Sequence, residues 1–112
     1  MMTTISKGDD IEPGMWQELT RVEAATVLGG MHWKALASGS CALLDVAIGE
    51  PDHEIVIAQI VFETLHRDVD PNEICDVWLA IQPTIPAGSR VAGRLRVVVG
   101  KAQSIEVELV TP

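Results

Sequence analysis

Six or seven short apolar runs, several of them rich in β-branched residues and most closed by a turn rich in glycine, proline or aspartate, most constrain the fold of this chain. Val and Ile branch at Cβ, which restricts them in a helix and suits them to a pleated, half-buried surface. The runs fall at residues 15–19, 27–37, 41–48, 54–65, 74–82, 90–99 and 103–110. Gly29-Gly30 sits inside the second run and predicts a bend or bulge there. Residues 20–25 offer no more than one helical turn. The run 54–65 is the most apolar and alternates poorly, which is the pattern of a central strand covered on both faces. Its β-branched content favours strand over buried helix. Short strands at this spacing predict an all-β sandwich or barrel, and of the two an antiparallel, jelly-roll-like β-sandwich is the fold expected. A length of 112 residues supports one domain, and a core of that size is often reinforced by oligomerisation. Residues 1–13 are polar and end near Glu12-Pro13-Gly14, so they read as a flexible or extended N-terminal arm. The sandwich domain then spans 14–112, with the arm ordered only in an assembly.

The last two runs fix a register if they form a hairpin. Val91, Leu95, Val97 and Val99 share one face of the first, and Ile105, Val107 and Leu109 share one face of the second. Both sets are odd-numbered, so bringing them to the same side requires an odd-numbered loop. A three-residue loop at 100–102 pairs Val99 with Gln103. Arg96 then lies opposite Glu106, and Arg94 opposite Glu108, on the outer face.

Charge narrows the partners. The formal net charge is −8, which repels phosphate backbones, and no basic stripe compensates. DNA and RNA are therefore not expected as partners. Residues 1–10 lack the apolar segment of a secretory signal, and no run approaches membrane-spanning length. Synthesis in a cytoplasm without membrane contact is expected. Cys41 and Cys75, both inside predicted strands, then read as reduced, buried small hydrophobes.

The candidates for chemistry are sparse. His32, His53 and His66 fall in three different segments without zinc-site spacing. Residues 68–73 (DVDPNE) imitate the start of a calcium loop, but Glu73 stands where glycine belongs and Leu79 where the final glutamate belongs. A solvated turn is expected there. Ser40 and Ser89 occupy glycine-containing turns without the flanking pattern of a nucleophile elbow. Asp52 and Glu54 around His53 read as a solvated loop. No catalytic residue, metal ligand or cofactor is expected, and a small metal-dependent enzyme ranks third among the functional readings. Three tryptophans are the largest side chains. Trp16 and Trp78 are expected as buried anchors, while Trp33, beside His32, is the candidate for an exposed adhesion surface.

Two stretches carry a resemblance. One is Leu44-Asp45-Val46-Ala47-Ile48-Gly49 followed by Glu54-Ile55-Val56-Ile57; the other runs Ile85-Pro86-Ala87-Gly88-Ser89-Arg90-Val91-Ala92-Gly93-Arg94. With Trp16 they resemble a β-sandwich domain of tailed-bacteriophage virion structural proteins. That pattern passes from an early Trp through a D-I-G-x-G strand and a Glu-led strand to I-P-A-G-S/T-R-I/V-A-x-R. The resemblance covers residues 14–110, and Glu50-Pro51-Asp52 departs from it where the pattern is richer in small residues. It implies a non-enzymatic virion component made in the host cytoplasm, either a capsid decoration protein or a small head or tail fibre subunit. It also implies a homo-oligomer, with a trimer favoured, bound to other virion proteins such as the major capsid protein. The second reading is a carbohydrate-binding or host-adhesion module that takes a host glycan. Within the late motif, Pro86 fixes φ and Gly88 permits the positive φ of a tight turn. Arg90 is expected as the first outward residue of the strand, tying the turn to a carboxylate such as Asp45 or Asp76.

Overall fold

The computed structural model describes residues 2–8, 14–66, 68 and 70–111, and every regular element in it is a strand. In chain order these are β1 (Thr3–Ser6), β2 (Gln17–Arg21), β3 (Thr26–Val27), β4 (Gly30–Lys34) and β5 (Cys41–Ile48), followed by β6 (Ile55–Glu63), β7 (Cys75–Trp78), β8 (Thr84–Ile85), β9 (Arg90–Val99) and β10 (Ser104–Val110). They form two four-stranded sheets, ordered β1-β10-β4-β7 and β2-β9-β5-β6, and a two-stranded ladder of β3 with β8. Every pairing within these sheets is antiparallel. The fold is all-β.

Period-two alternation explains which faces are buried. In β5, Ala42, Leu44 and Val46 are fully buried, while Leu43 and Asp45 alternate with them. Phe62 and Leu44 of one sheet join Ile5, Met31, Trp33 and Ile105 of the other in a single buried cluster. The Trp33 and Phe62 rings meet at 5.2 Å between centroids. Each such side chain contributes roughly 1.5–3 kcal/mol relative to exposure. The chain joins like positions of the two sheets: β1 leads to β2, β4 to β5, β6 to β7 and β9 to β10. The edge strands β1 and β2 therefore share one flank, and β6 and β7 share the other.

Residues 2–8 are not an arm. Thr3–Ser6 pairs with β10, and Ile5 is fully buried, so this segment closes one edge of the core. One apolar side chain is enough to anchor a four-residue edge strand, and too little to signal it beforehand. Residues 9–13 of the expected arm lie outside the described residues. The run 54–65 is an edge strand rather than a central one. Ile60 and Phe62 point into the core, while Ile55, Val56 and Val61 are exposed. No helical turn forms at 20–25, where β2 continues to Arg21.

The expected terminal hairpin does not form. β9 pairs with β2 and β5, and β10 with β1 and β4, so the loop at 100–103 crosses from one sheet to the other. Arg94 lies opposite Asp45 and Arg96 opposite Leu43; Glu106 lies opposite Lys34 and Glu108 opposite His32. The physical reason is that Val91 and Leu95 share a core with Ile105 and Val107 from facing sheets instead of from one sheet. Ala102, almost fully buried, anchors the crossing loop.

Candidate functional site

The two stretches singled out in the sequence meet at one corner of the molecule. Gly49 follows β5 and Arg90 opens β9, and the Gly49 amide donates to the Arg90 carbonyl at 3.1 Å. Arg90 Nη1 donates in return to the Gly49 carbonyl at 3.2 Å and to Glu54 Oε2 at 3.1 Å. The two charged side chains are each 8% exposed. A Cβ at Gly49 would lie 2.3 Å from the His53 carbonyl, and its φ of +129° suits glycine alone, so this turn requires that residue. Arg90 is thus buried rather than outward, and its carboxylates are Glu54 and, with Nε at 3.4 Å, Glu18, not Asp45 or Asp76. The late turn is fixed to the end of β2 as well. Gly88 donates to the Val22 carbonyl, and the Val22 amide donates to that of Ser89.

Arg21 extends this network along β2. Its guanidinium holds Glu50 by two 2.9 Å hydrogen bonds and approaches Glu18 at 3.3 Å. Three carboxylates therefore alternate with two guanidiniums in the order Glu54, Arg90, Glu18, Arg21, Glu50. The Arg21 hydrogen bonds hold the Glu50 carboxyl below its usual range, and Glu50 in turn raises Arg21. For Glu54, burial pushes the carboxyl up. Backbone amides of Glu54 itself and Asp52, with the Arg90 guanidinium, outweigh burial and hold it below the usual value. A shallow groove of about 250 Å³ lies over this corner, lined by Ile48, Glu50, His53, Ile55, Ser89 and Arg90. Its charges are committed to one another, which fixes the loop 49–54 against β2 and β9.

A second polar row crosses the sheet from β6 to β9. Asp45 accepts from Gln59 Nε2 at 2.8 Å with one oxygen and from Arg94 Nε at 2.8 Å with the other. The Arg94 guanidinium carbon lies 4.4 Å from the Trp16 ring centre, so Trp16 is a half-buried roof over a satisfied ion pair. Each oxygen of the motif residue Asp45 therefore has a partner within the chain.

Trp16, expected as a buried anchor, is half-buried, and the other two tryptophans exchange their expected places. Trp33 is core, 5% exposed, because it shares with Met31 the inward face of β4. Trp78 is 61% exposed and lies two residues from Asp76 on the outward side of β7. His32 Nδ1 hydrogen-bonds Asp76 Oδ1 across the β4–β7 pairing. The half-exposed surface residues of this face are therefore Trp78, Asp76 and His32, not Trp33. The spacing of Asp76 and Trp78 puts them on one face of β7 without telling which face is outward; Glu54, which heads the Glu-led strand of the resemblance, was expected in a solvated loop, and Glu18 and Gln59 gave no motif signal.

The remaining candidates stay apart. Cys41 and Cys75 form no disulfide, belong to different sheets, and are half-buried rather than buried as expected. The Ser40 hydroxyl is buried beside Gly100 without a hydrogen-bond partner. Asp70 accepts from the Asn72 amide at 2.8 Å in a turn of its own making. Among the described residues no group of three or more His, Cys, Asp or Glu side chains is placed to hold a metal ion. Compared with protein-family models, curated proteins and solved structures, the chain matches none.

Proposed function

We propose that this chain is a non-enzymatic structural subunit of a tailed-phage virion, a capsid decoration protein or a small head or tail fibre subunit, built as a jelly-roll sandwich. The observation that carries this reading is the strand order. With the two-residue strands β3 and β8 set aside and the other eight renumbered along the chain, the sheets read 1-8-3-6 and 2-7-4-5. Two Greek keys folded over one another give this order, and viral capsid and lectin domains use the resulting jelly roll. The fate of the motif residues supports a building block. Arg90 and Gly49 at the corner, and Asp45 in the polar row from β6 to β9, hydrogen-bond to partners within the chain. Quantitative mass spectrometry of purified phage particles carrying this gene tests the proposal. Hundreds of copies per particle are expected for a decoration protein and a handful for a fibre subunit; absence from the particles contradicts both.

A glycan-binding module is the second reading, favoured by one observation. Trp78 presents an exposed indole beside the His32–Asp76 pair, a face and polar edge of the kind that stack on and orient a sugar ring. A glycan array read with the wild type and with Trp78→Ala distinguishes it: binding lost in the variant supports this reading, and no binding by either removes it.

A further inference from the structure

We infer that two copies of this chain pair through the flank formed by β6 and β7, with β6 antiparallel to β6 around a two-fold axis at Val61. The inference names the self-contact within the structural reading above and does not depend on where in a virion the protein sits.

Three observations converge on that edge. First, seven of the ten large apolar side chains exposed among the described residues lie on β6, on β7 or on the segments that adjoin them, including Ile55, Val61, Leu65, Ile74 and Ile81. Second, β6 is nine residues long and has a sheet neighbour, β5, on one side only. An edge strand left open for no purpose is normally blunted by lysine, proline or inward charge, and β6 carries none of these. Its single charged residue is Glu63, in a chain of net charge −8 that would repel its own copy across most other surfaces.

Third, the sequence of β6 is complementary to itself. Pairing it antiparallel about Val61 places Val61 against the other copy's Val61, a β-branched pair from two exposed positions. Gln59 then lies opposite Glu63, twice by symmetry. The Gln59 amide uses one hydrogen on Asp45 and keeps a second for that carboxylate. Within β6 itself no like charges oppose. The register also uses the regular half of β6 and avoids the bulge opposite Val46 and Ala47. Pairing of this kind would join two four-stranded sheets into one of eight. A two-fold contact is closed and self-complementary, so it ends at two copies rather than at the three favoured from the sequence.

Sedimentation equilibrium with Val61→Glu and Val61→Lys tests this. The wild type is expected at 2 × 12.1 kDa, and each variant alone at 12.1 kDa with an unchanged far-ultraviolet circular dichroism spectrum. An equimolar mixture of the two variants is expected to return to the doubled mass, because opposite charges then meet on the axis. Wild-type protein that stays monomeric at sub-millimolar concentration overturns the inference. So does a wild-type oligomer of any size that survives both substitutions. Particle mass spectrometry, which tests the virion role, does not enter either result.

Discussion

Along the flank of β1 and β2, polar side chains seal the sheet edges. Gln17 accepts from the Ser6 amide at 2.8 Å and donates to the Thr4 carbonyl at 3.2 Å, so one amide side chain spans both edge strands. Arg21 locks the end of β2 to Glu50 and Glu18. Along the opposite flank, β6 and β7 present Ile55, Val61 and Trp78 to solvent. Both flanks face the same hazard of edge-to-edge pairing. The first is closed by satisfying backbone groups with side chains, and the second carries apolar surface where such stitches would be. The contrast within one small domain locates its sticky side.

The largest effect that sharpens this comparison belongs to β6 itself. Phe62 is 1% exposed and packs on Trp33, so Phe62→Ala is expected to cost about 3–5 kcal/mol in chemical denaturation. A much smaller loss would mean that β6 is only loosely held to the core. Next, Gln17→Ala removes the stitch on the sealed flank. Two exposed hydrogen bonds contribute on the order of 1 kcal/mol, and amide exchange at Ser6 should accelerate. Unchanged exchange there would break the contrast, because the sealed edge would owe nothing to Gln17.

The smallest effect is a pH dependence at the Arg90 corner. Glu54 and Glu50 are held below the usual glutamate value of 4.5. A depressed carboxyl contributes its stability fully above its unfolded value and loses it as pH falls through the folded one. Thermal stability of the wild type should therefore fall as pH drops below about 4.5. Glu54→Gln should fall less steeply over that window. Parallel curves for the two proteins would show that the corner is not held by the Glu54 charge.

Some of this architecture was readable from the residues and some was not. The bounds of β5 and β9 follow from alternating apolar runs that end at glycine turns, and both strands occupy residues 41–48 and 90–99 as the pattern predicts. β1 carries a single large apolar residue in Thr3–Ser6, too short a pattern to separate a strand from a polar tail. Side-chain parity placed Val91, Leu95, Ile105 and Val107 on one core correctly. It cannot tell a neighbour in the same sheet from a partner in the facing one, and that ambiguity produced the false Arg94–Glu108 and Arg96–Glu106 pairs. At the corner, Gly49 and Arg90 stood out because their turn chemistry is local. Their partner Glu54 also belongs to the quoted stretches, but its contact with Arg90 spans 36 positions, so no local pattern names it in place of Asp45 or Asp76. The 54–65 run looked central because Ile55, Val56 and Val61 add apolar residues to its outer face, a pattern that burial by a sheet and burial by a second copy produce equally.

Hydrogen–deuterium exchange at low and high protein concentration tests the difference between the flanks most directly. The account predicts that amides of Ile55–Glu63 gain protection as concentration rises, while Thr3–Ser6 and Gln17–Arg21 do not change. Concentration-independent exchange along β6, or protection that rises on β1 and β2 instead, would contradict it.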